Sequence, residues 1–279
     1  TDWYIDQMKR KAYGSNPVPS QLTHEQYRYG TRDYIYHQPL TDKRWDIKDF
    51  MNWIGSDHPK TKRKALLQQY GSDVSKYSDN ELETVFYPTN KIRVTVNKEN
   101  VLKSGLVSKE DAHLIVDYID IDLPNVLYKN RILMLDILAN NDWERPLYFS
   151  GGSFDDADYL WMKDYLQLDG LAYKLVPIKT EFQGGIDMGR VDTKVAYPIV
   201  SNWYWGNAGD ENIYHDPQTR RQFGVTFRIC LARLMETLIE ENEIKKAKQV
   251  IALAMEHIPL EHYGYYMFLE PFLDGYYKI

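Results

Sequence analysis

From Gln218 to His257 apolar side chains recur every three or four residues, broken once, and no other stretch constrains the fold of this chain as tightly. The spacing places Leu231, Leu234, Leu238 and Ile239 on one helical stripe and Ala247, Val250, Ile251, Ala254 and Met255 on another. The break at Glu241-Asn242-Glu243 is short, so two antiparallel helices are expected, closed by Pro259. Small side chains at Ala247 and Ala254 let the two approach closely.

Upstream the pattern changes character. Thr1-Asp2-Trp3-Tyr4 followed by Ile5, Met8 and Ala12 predicts a capped helix running to Gly14, after which Ser15-Asn16-Pro17-Val18-Pro19 forces a loop. Trp45 to Ile54 places its apolar residues on one helical face and stops at Gly55. Val85-Phe86-Tyr87 and Ile92-Arg93-Val94-Thr95-Val96 read as extended and are expected to form a small hairpin. His113 to Ile121 reads as mostly extended, and Tyr128 to Ala139 as a buried helix. A strand at 145–150, the turn Gly151-Gly152, a helix at 156–166 and a strand at 171–178 follow within about 30 residues, which predicts a parallel βαβ crossover. The expected class is α/β, with α+β as the alternative: a mixed sheet with flanking helices over 1–183, then an all-helical region over 184–279. Both ends read as cut, since a helix opens the chain at Thr1 and a further helix over Tyr265 to Tyr277 closes it.

Charge excludes one class of partner. The 279 residues carry a formal net charge of −6, leaving no overall positive field for a polyanion, so no nucleic-acid partner is expected. The run Lys60 to Lys64 is read as a solvated face. One cysteine, Cys230, lies in an apolar helix and behaves as a small hydrophobe. No stretch approaches the ~20 apolar residues of a membrane span, and no signal peptide is legible. Tyrosine is in excess, 23 against 9 Phe, which points to many half-wet contacts, either between subdomains or with a polar ligand such as a sugar.

Candidate chemistry is sparse. Trp203-Tyr204-Trp205 stands beside a turn and suits stacking on sugar faces, or the filling of a seam between the α/β and helical parts. Gly151-Gly152-Ser153 follows a strand and precedes a helix, the place where ligands gather in open α/β sheets. Asp155, Asp156 and Asp158 there would repel an anion and leave a neutral polyhydroxyl ligand as the fitting one. Asp120-Ile121-Asp122 has the form of a cation-binding triplet but alternates like a strand edge, and the seven histidines show no ligand spacing. No metal, cofactor or catalytic residue is assigned.

Two resemblances add to this. Leu231, Leu234, Leu238, Ala247, Ile251, Ala254 and Pro259 fall at the spacing of one tetratricopeptide repeat, with Met235 where a small residue is usual, and Tyr265 to Tyr277 is similar to the first helix of a next repeat. The segments TDWYIDQ at 1–7, LYKN at 127–130, LDILANNDWERPLYF at 135–149 and LAYKLVPI at 171–178 resemble the C-terminal region of large Bacteroidetes-type membrane proteins of a domain-of-unknown-function family. Those proteins are similar to protein O-mannosyltransferases and to the vertebrate endoplasmic-reticulum homologue with a repeat tail. The resemblance implies a non-catalytic domain on the periplasmic face of the inner membrane, anchored through an upstream transmembrane region that carries the reactive centre. Its implied partners are that region and an acceptor protein or glycan. A free-standing α/β carbohydrate-active enzyme, using the Gly151-Gly152 turn with Asp120 and Asp122, and a pure protein scaffold remain as alternatives.

Overall fold

The structure, a computed structural model, describes residues 2–12, 14–28, 30, 32–150, 160–181 and 188–279. The chain is mixed α/β and resolves into two compact units, Thr1–Pro146 and Leu147–Ile279.

The first unit is built on two small sheets. Its strands are β1 (Tyr34–His37), β2 (Trp45–Asp46), β3 (Phe86–Tyr87), β4 (Lys91–Thr95), β5 (Tyr118–Asp122) and β6 (Val126–Tyr128). One sheet has the order β3-β1-β6, with β1 parallel to β3 and antiparallel to β6; the other has the order β2-β4-β5, with β2 parallel to β4 and β4 antiparallel to β5. In the second sheet Ile92 faces Ile121 and Val94 faces Ile119, all buried, while Arg93 and Asp120 pair on the outer side. Helices α1 (Asp2–Met8), α2 (His24–Arg28), α3 (Ile47–Gly55), α4 (Arg63–Gln69), α5 (Asp79–Glu83), α6 (Lys98–Lys103) and α7 (Lys129–Asn141) surround the sheets. Helices α3 and α7 pack together and supply the heart of the core, with Phe50, Met51, Ile54 and Leu135 fully buried. Each such side chain stabilises the unit by about 1.5–3 kcal/mol relative to exposure.

Two local expectations change. Helix α1 ends at Met8 and not at Gly14, because the chain turns back so that Val18 N–H donates to the Lys9 carbonyl at 2.9 Å, and Lys9 itself is buried. The strands around Pro88 do not form a hairpin with each other. Gln38 N–H takes the Tyr87 carbonyl at 2.9 Å and Leu40 N–H the Pro88 carbonyl at 3.0 Å, so β3 joins β1 while β4 is drawn into the second sheet.

The second unit opens with an antiparallel sheet of β7 (Tyr148–Ser150), β8 (Leu166–Asp169) and β9 (Ala172–Leu175), in the order β7-β9-β8. The expected parallel crossover is therefore not what forms. Asp169 pairs with Ala172 across a two-residue turn whose first residue, Gly170, has φ +68°, the Gly-first hairpin turn that reverses the chain at once. Residues 160–165 of the expected helix are a short 3-10 segment, and its start lies outside the described residues.

Helices α8 (Thr193–Ser201), α9 (Pro217–Arg221), α10 (Arg228–Glu240), α11 (Ile244–His257), α12 (Leu260–Tyr263) and α13 (Glu270–Lys278) complete this unit. A π-helical turn over Gln222–Phe227 links α9 to α10. The antiparallel pair α10 and α11 is joined at Glu241-Asn242-Glu243 as expected, and Leu231, Leu234, Leu238, Ala247, Val250 and Ala254 form its shared core with Tyr263 and Phe272. Helix α13 packs back on α10 at Gly275, where a Cβ would lie 2.6 Å from the Met235 side chain. The third sheet shares this unit with the helices, so the division falls at 146/147 where the sequence placed it at 183. The reason is visible at Gly170: a Cβ there would lie 3.0 Å from Ile199 on α8 and 3.2 Å from Trp203, so the hairpin turn is seated directly on the helical part.

Candidate functional site

Helix α3 has one face for the core and one for solvent. Asp46 caps it by accepting Lys48 N–H at 2.8 Å, Ile47, Phe50, Met51 and Ile54 point inward, and Asp49, Asn52, Trp53 and Ser56 border an open cleft of about 500 Å³. The indole of Trp53 is fixed from three sides. Its Nε1–H donates to the Phe86 carbonyl at 2.7 Å, and its ring meets Phe86 and Trp45 edge to face, each at 5.7 Å between centroids. Lys60 places Nζ 5.8 Å from the centre of the same ring. Arg44 borders the cleft from the chain just before β2, held by the carbonyls of Ile92 and Ile121 at 3.0 and 3.1 Å and by the Asp122 carboxylate at 3.0 Å. Among the described residues, the side chains of Asp49 and Asn52 have no hydrogen-bond partner within the chain. The cleft thus joins two oriented indoles to uncommitted polar groups one helical turn apart, an arrangement able to bind but with no evident nucleophile.

The residues singled out in the sequence are distributed otherwise. Trp203 and Trp205 are half-buried, edge to face at 5.3 Å, and both lie against Phe227; Trp205 also stacks on His257 at 4.8 Å. Tyr204 between them is 97% exposed. The turn therefore presents one ring to solvent and spends two on packing, Trp203 between the Gly170 turn and the helices and Trp205 against the helical core. Gly151, Gly152 and Ser153 lie outside the described residues. Asp120 receives Arg93 through two hydrogen bonds of 2.7 and 2.8 Å and Arg44 at 3.4 Å, and these hydrogen bonds and charges hold its carboxyl below the usual range. With Asp122 bound to Arg44, the triplet is an ion-pair ladder on the outer side of a sheet. Burial pushes the Cys230 thiol up to about 12, which leaves it un-ionised and inert at neutral pH. Among the described residues no three His, Cys, Asp or Glu side chains converge as a metal-holding group. No helix among them is long and apolar enough to cross a membrane.

Two buried polar clusters escaped the sequence reading. Asp136 on α7 has no exposed surface and accepts from the Ser20 hydroxyl, Tyr27 OH at 2.7 Å, Gln21 N–H at 2.9 Å and Asn140 Nδ2 at 3.1 Å. Burial pulls the nearby Lys9 ammonium down, opposed by the charge of Asp136, and burial, reinforced by the same carboxylate, pushes the Tyr27 phenol far up. In the third sheet Lys174 pairs with Asp169 at 2.9 Å, and Asp169 also accepts from Gln167 Nε2 at 2.8 Å and from the Tyr148 hydroxyl at 3.2 Å, with both charges almost fully buried. A lone Asp inside the apolar run ILMLDILA was the available signal for the first cluster. The alternation Gln167, Asp169 was the signal for the second.

Together these features define a class: a mixed α/β unit bearing an open aromatic cleft, followed by a unit of one small antiparallel sheet and a run of helices, with its buried acids bound to donors inside the fold. The model of the family TMEM260-associated domain 2 matches residues 1–195, and the chain belongs to that family. No curated protein and no solved structure matches it.

Proposed function

We propose that this chain is a non-catalytic accessory domain of a glycosyltransferase-related membrane protein, and that it holds the acceptor protein or glycan while the reaction occurs in a membrane-embedded region of the same protein. The observation that carries the reading is the family match over residues 1–195, whose description associates the domain with TMEM260, a protein linked to O-mannosyl transfer. The chemistry of the chain supports it. Asp120 and Asp122 are bound to arginines, Asp136 is enclosed by four donors, and Asp169 is paired with Lys174, so these four carboxylates serve architecture. None of these four is a carboxylate free to take or give a proton beside an open site, as a glycosyl-transfer step needs; Asp49 at the cleft is the exception, and the assay for turnover tests it.

The domain would then work at the periplasmic face, tethered by its upstream membrane region. A helical pair of the tetratricopeptide kind suits contact with a protein, and helix α13 leaves Leu273, Tyr276 and Tyr277 exposed, which favours a protein-binding role for the second unit as the companion reading. The test is direct. The isolated chain, given a lipid-phosphate-linked sugar and a folded acceptor protein, should produce no glycoprotein yet retain acceptor or glycan in an equilibrium binding assay; turnover by the chain alone sinks the proposal.

A further inference from the structure

We infer that the cleft between Trp45 and Trp53 is a binding site for an uncharged pyranose ring, an inference that rests on the acceptor-or-glycan reading and names its ligand class and its place. A pyranose has a face of C–H groups that packs on an aromatic plane and a rim of hydroxyls that each demand a donor or acceptor. The cleft supplies both kinds of surface in one concavity. Trp45 and Trp53 are locked edge to face at 5.7 Å, with Trp53 anchored by its bond to Phe86, so the aromatic walls need no ordering when a ligand arrives. Asp49 and Asn52 stand three residues apart on the same helix, and both side chains border the same cleft. One accepts and the other both donates and accepts, which fits a pair of neighbouring hydroxyls. The helix beneath them is rigidly seated, since Phe50, Met51 and Ile54 on its inner face are fully buried.

Size and charge narrow the ligand further. About 500 Å³ lies inside the range of roughly 300–1,000 Å³ typical of small-molecule sites. Two cations, Arg44 and Lys60, and two carboxylates, Asp46 and Asp49, border it, so the wall is balanced. A phosphate would meet the carboxylates. A quaternary ammonium would meet the like charges of Arg44 and Lys60. A neutral polyhydroxyl ring opposes neither set.

The experiment uses the whole chain with its tryptophan indoles labelled with nitrogen-15, titrated with the methyl glycosides of mannose, glucose and N-acetylglucosamine, and separately with inorganic phosphate and tetramethylammonium. One or more of the glycosides should move the indole signals of Trp45 and Trp53, and the two ions should not. Asp49→Ala/Asn52→Ala, both at exposed positions, should weaken that binding by about tenfold or more while leaving the rest of the spectrum in place. Unchanged affinity in the double variant, or a response to the ions in place of the glycosides, overturns the cleft assignment. Glycoside binding that moves other signals, or capture of a folded acceptor with the cleft silent, also overturns it while leaving the accessory-domain reading intact. Sugar transfer by the chain sinks that reading alone.

Discussion

Asp136 sits in the middle of an apolar helix with no surface exposed, a position that costs several kcal/mol unless its charge is met from all sides. Four donors meet it, and three of them, Ser20, Gln21 and Tyr27, come from the loop and short helix that precede the first sheet. The carboxylate therefore stitches that segment to α7. Asp136→Ala should lower stability by about 3–5 kcal/mol, read as a shift of the urea midpoint, because Ser20, Gln21, Tyr27 and Asn140 lose their common acceptor in a dry interior. The Asp169–Lys174 pair obeys the opposite arithmetic. Lys174→Met alone leaves a buried charge unpaired and should cost a similar amount, whereas Asp169→Leu with Lys174→Met should recover most of the loss. Asp120 brings a pH dependence. Its folded pKa lies below the unfolded value, so its stabilising effect is complete above the ordinary carboxylate range and disappears as the pH falls through the folded pKa. The side chain is about one-third exposed, so screening limits the effect to about 1 kcal/mol; Asp120→Asn should flatten the acid limb of the stability curve by that amount.

At the scale of elements, legibility followed the range of the interaction that decides each one. Helices α3, α10 and α11 were readable because period, cap and stop lie within a dozen residues, as with Asp46 before α3 and Glu241-Asn242-Glu243 between the pair. The third sheet differs from the expected crossover because Gly151-Gly152 reads as the turn, while Asp169-Gly170, a strong hairpin signal, falls between the expected helix at 156–166 and strand at 171–178. Gly170→Ala would force a side chain into φ +68° and against Ile199 at 3.0 Å, and should cost about 1–3 kcal/mol in thermal or chemical unfolding. The cleft was not legible at all. It assembles the end of a loop, a two-residue strand, one flank of a helix and a 3-10 turn, and no local pattern announces that Trp45, Trp53 and Lys60 converge. The aromatic turn announced itself by composition, yet burial of two of its three rings depends on Phe227 and His257, far along the chain. The excess of tyrosine was an honest clue of half-wet surfaces: Tyr34, Tyr36 and Tyr128 lie exposed on the outer side of one sheet, and Tyr34 faces Tyr128 across the strands.

For the molecule as a whole, the decisive fact is that two cores close separately. Ile35, Phe50, Ile92, Ile119 and Leu127 belong to the first unit, and the set from Ala196 to Phe272 belongs to the second. Residues 147–279 expressed alone should therefore unfold in a single cooperative transition by circular dichroism, and a gradual, non-cooperative melt would contradict it. The family match runs past the division at 146/147 and takes in the first unit, the third sheet and the start of α8.

Arg228 lies fully buried at the start of α10 and donates to the carbonyls of Ile258 and Gly264, tying the end of α11 to the segment that leads into α13. Burial lowers its pKa, but a guanidinium stays charged across the physiological range, and the oxygens it grips are neutral amides. Neither acidification nor added electrolyte offers a way to loosen this rivet, so any flexing of the closing helices has to tear it mechanically.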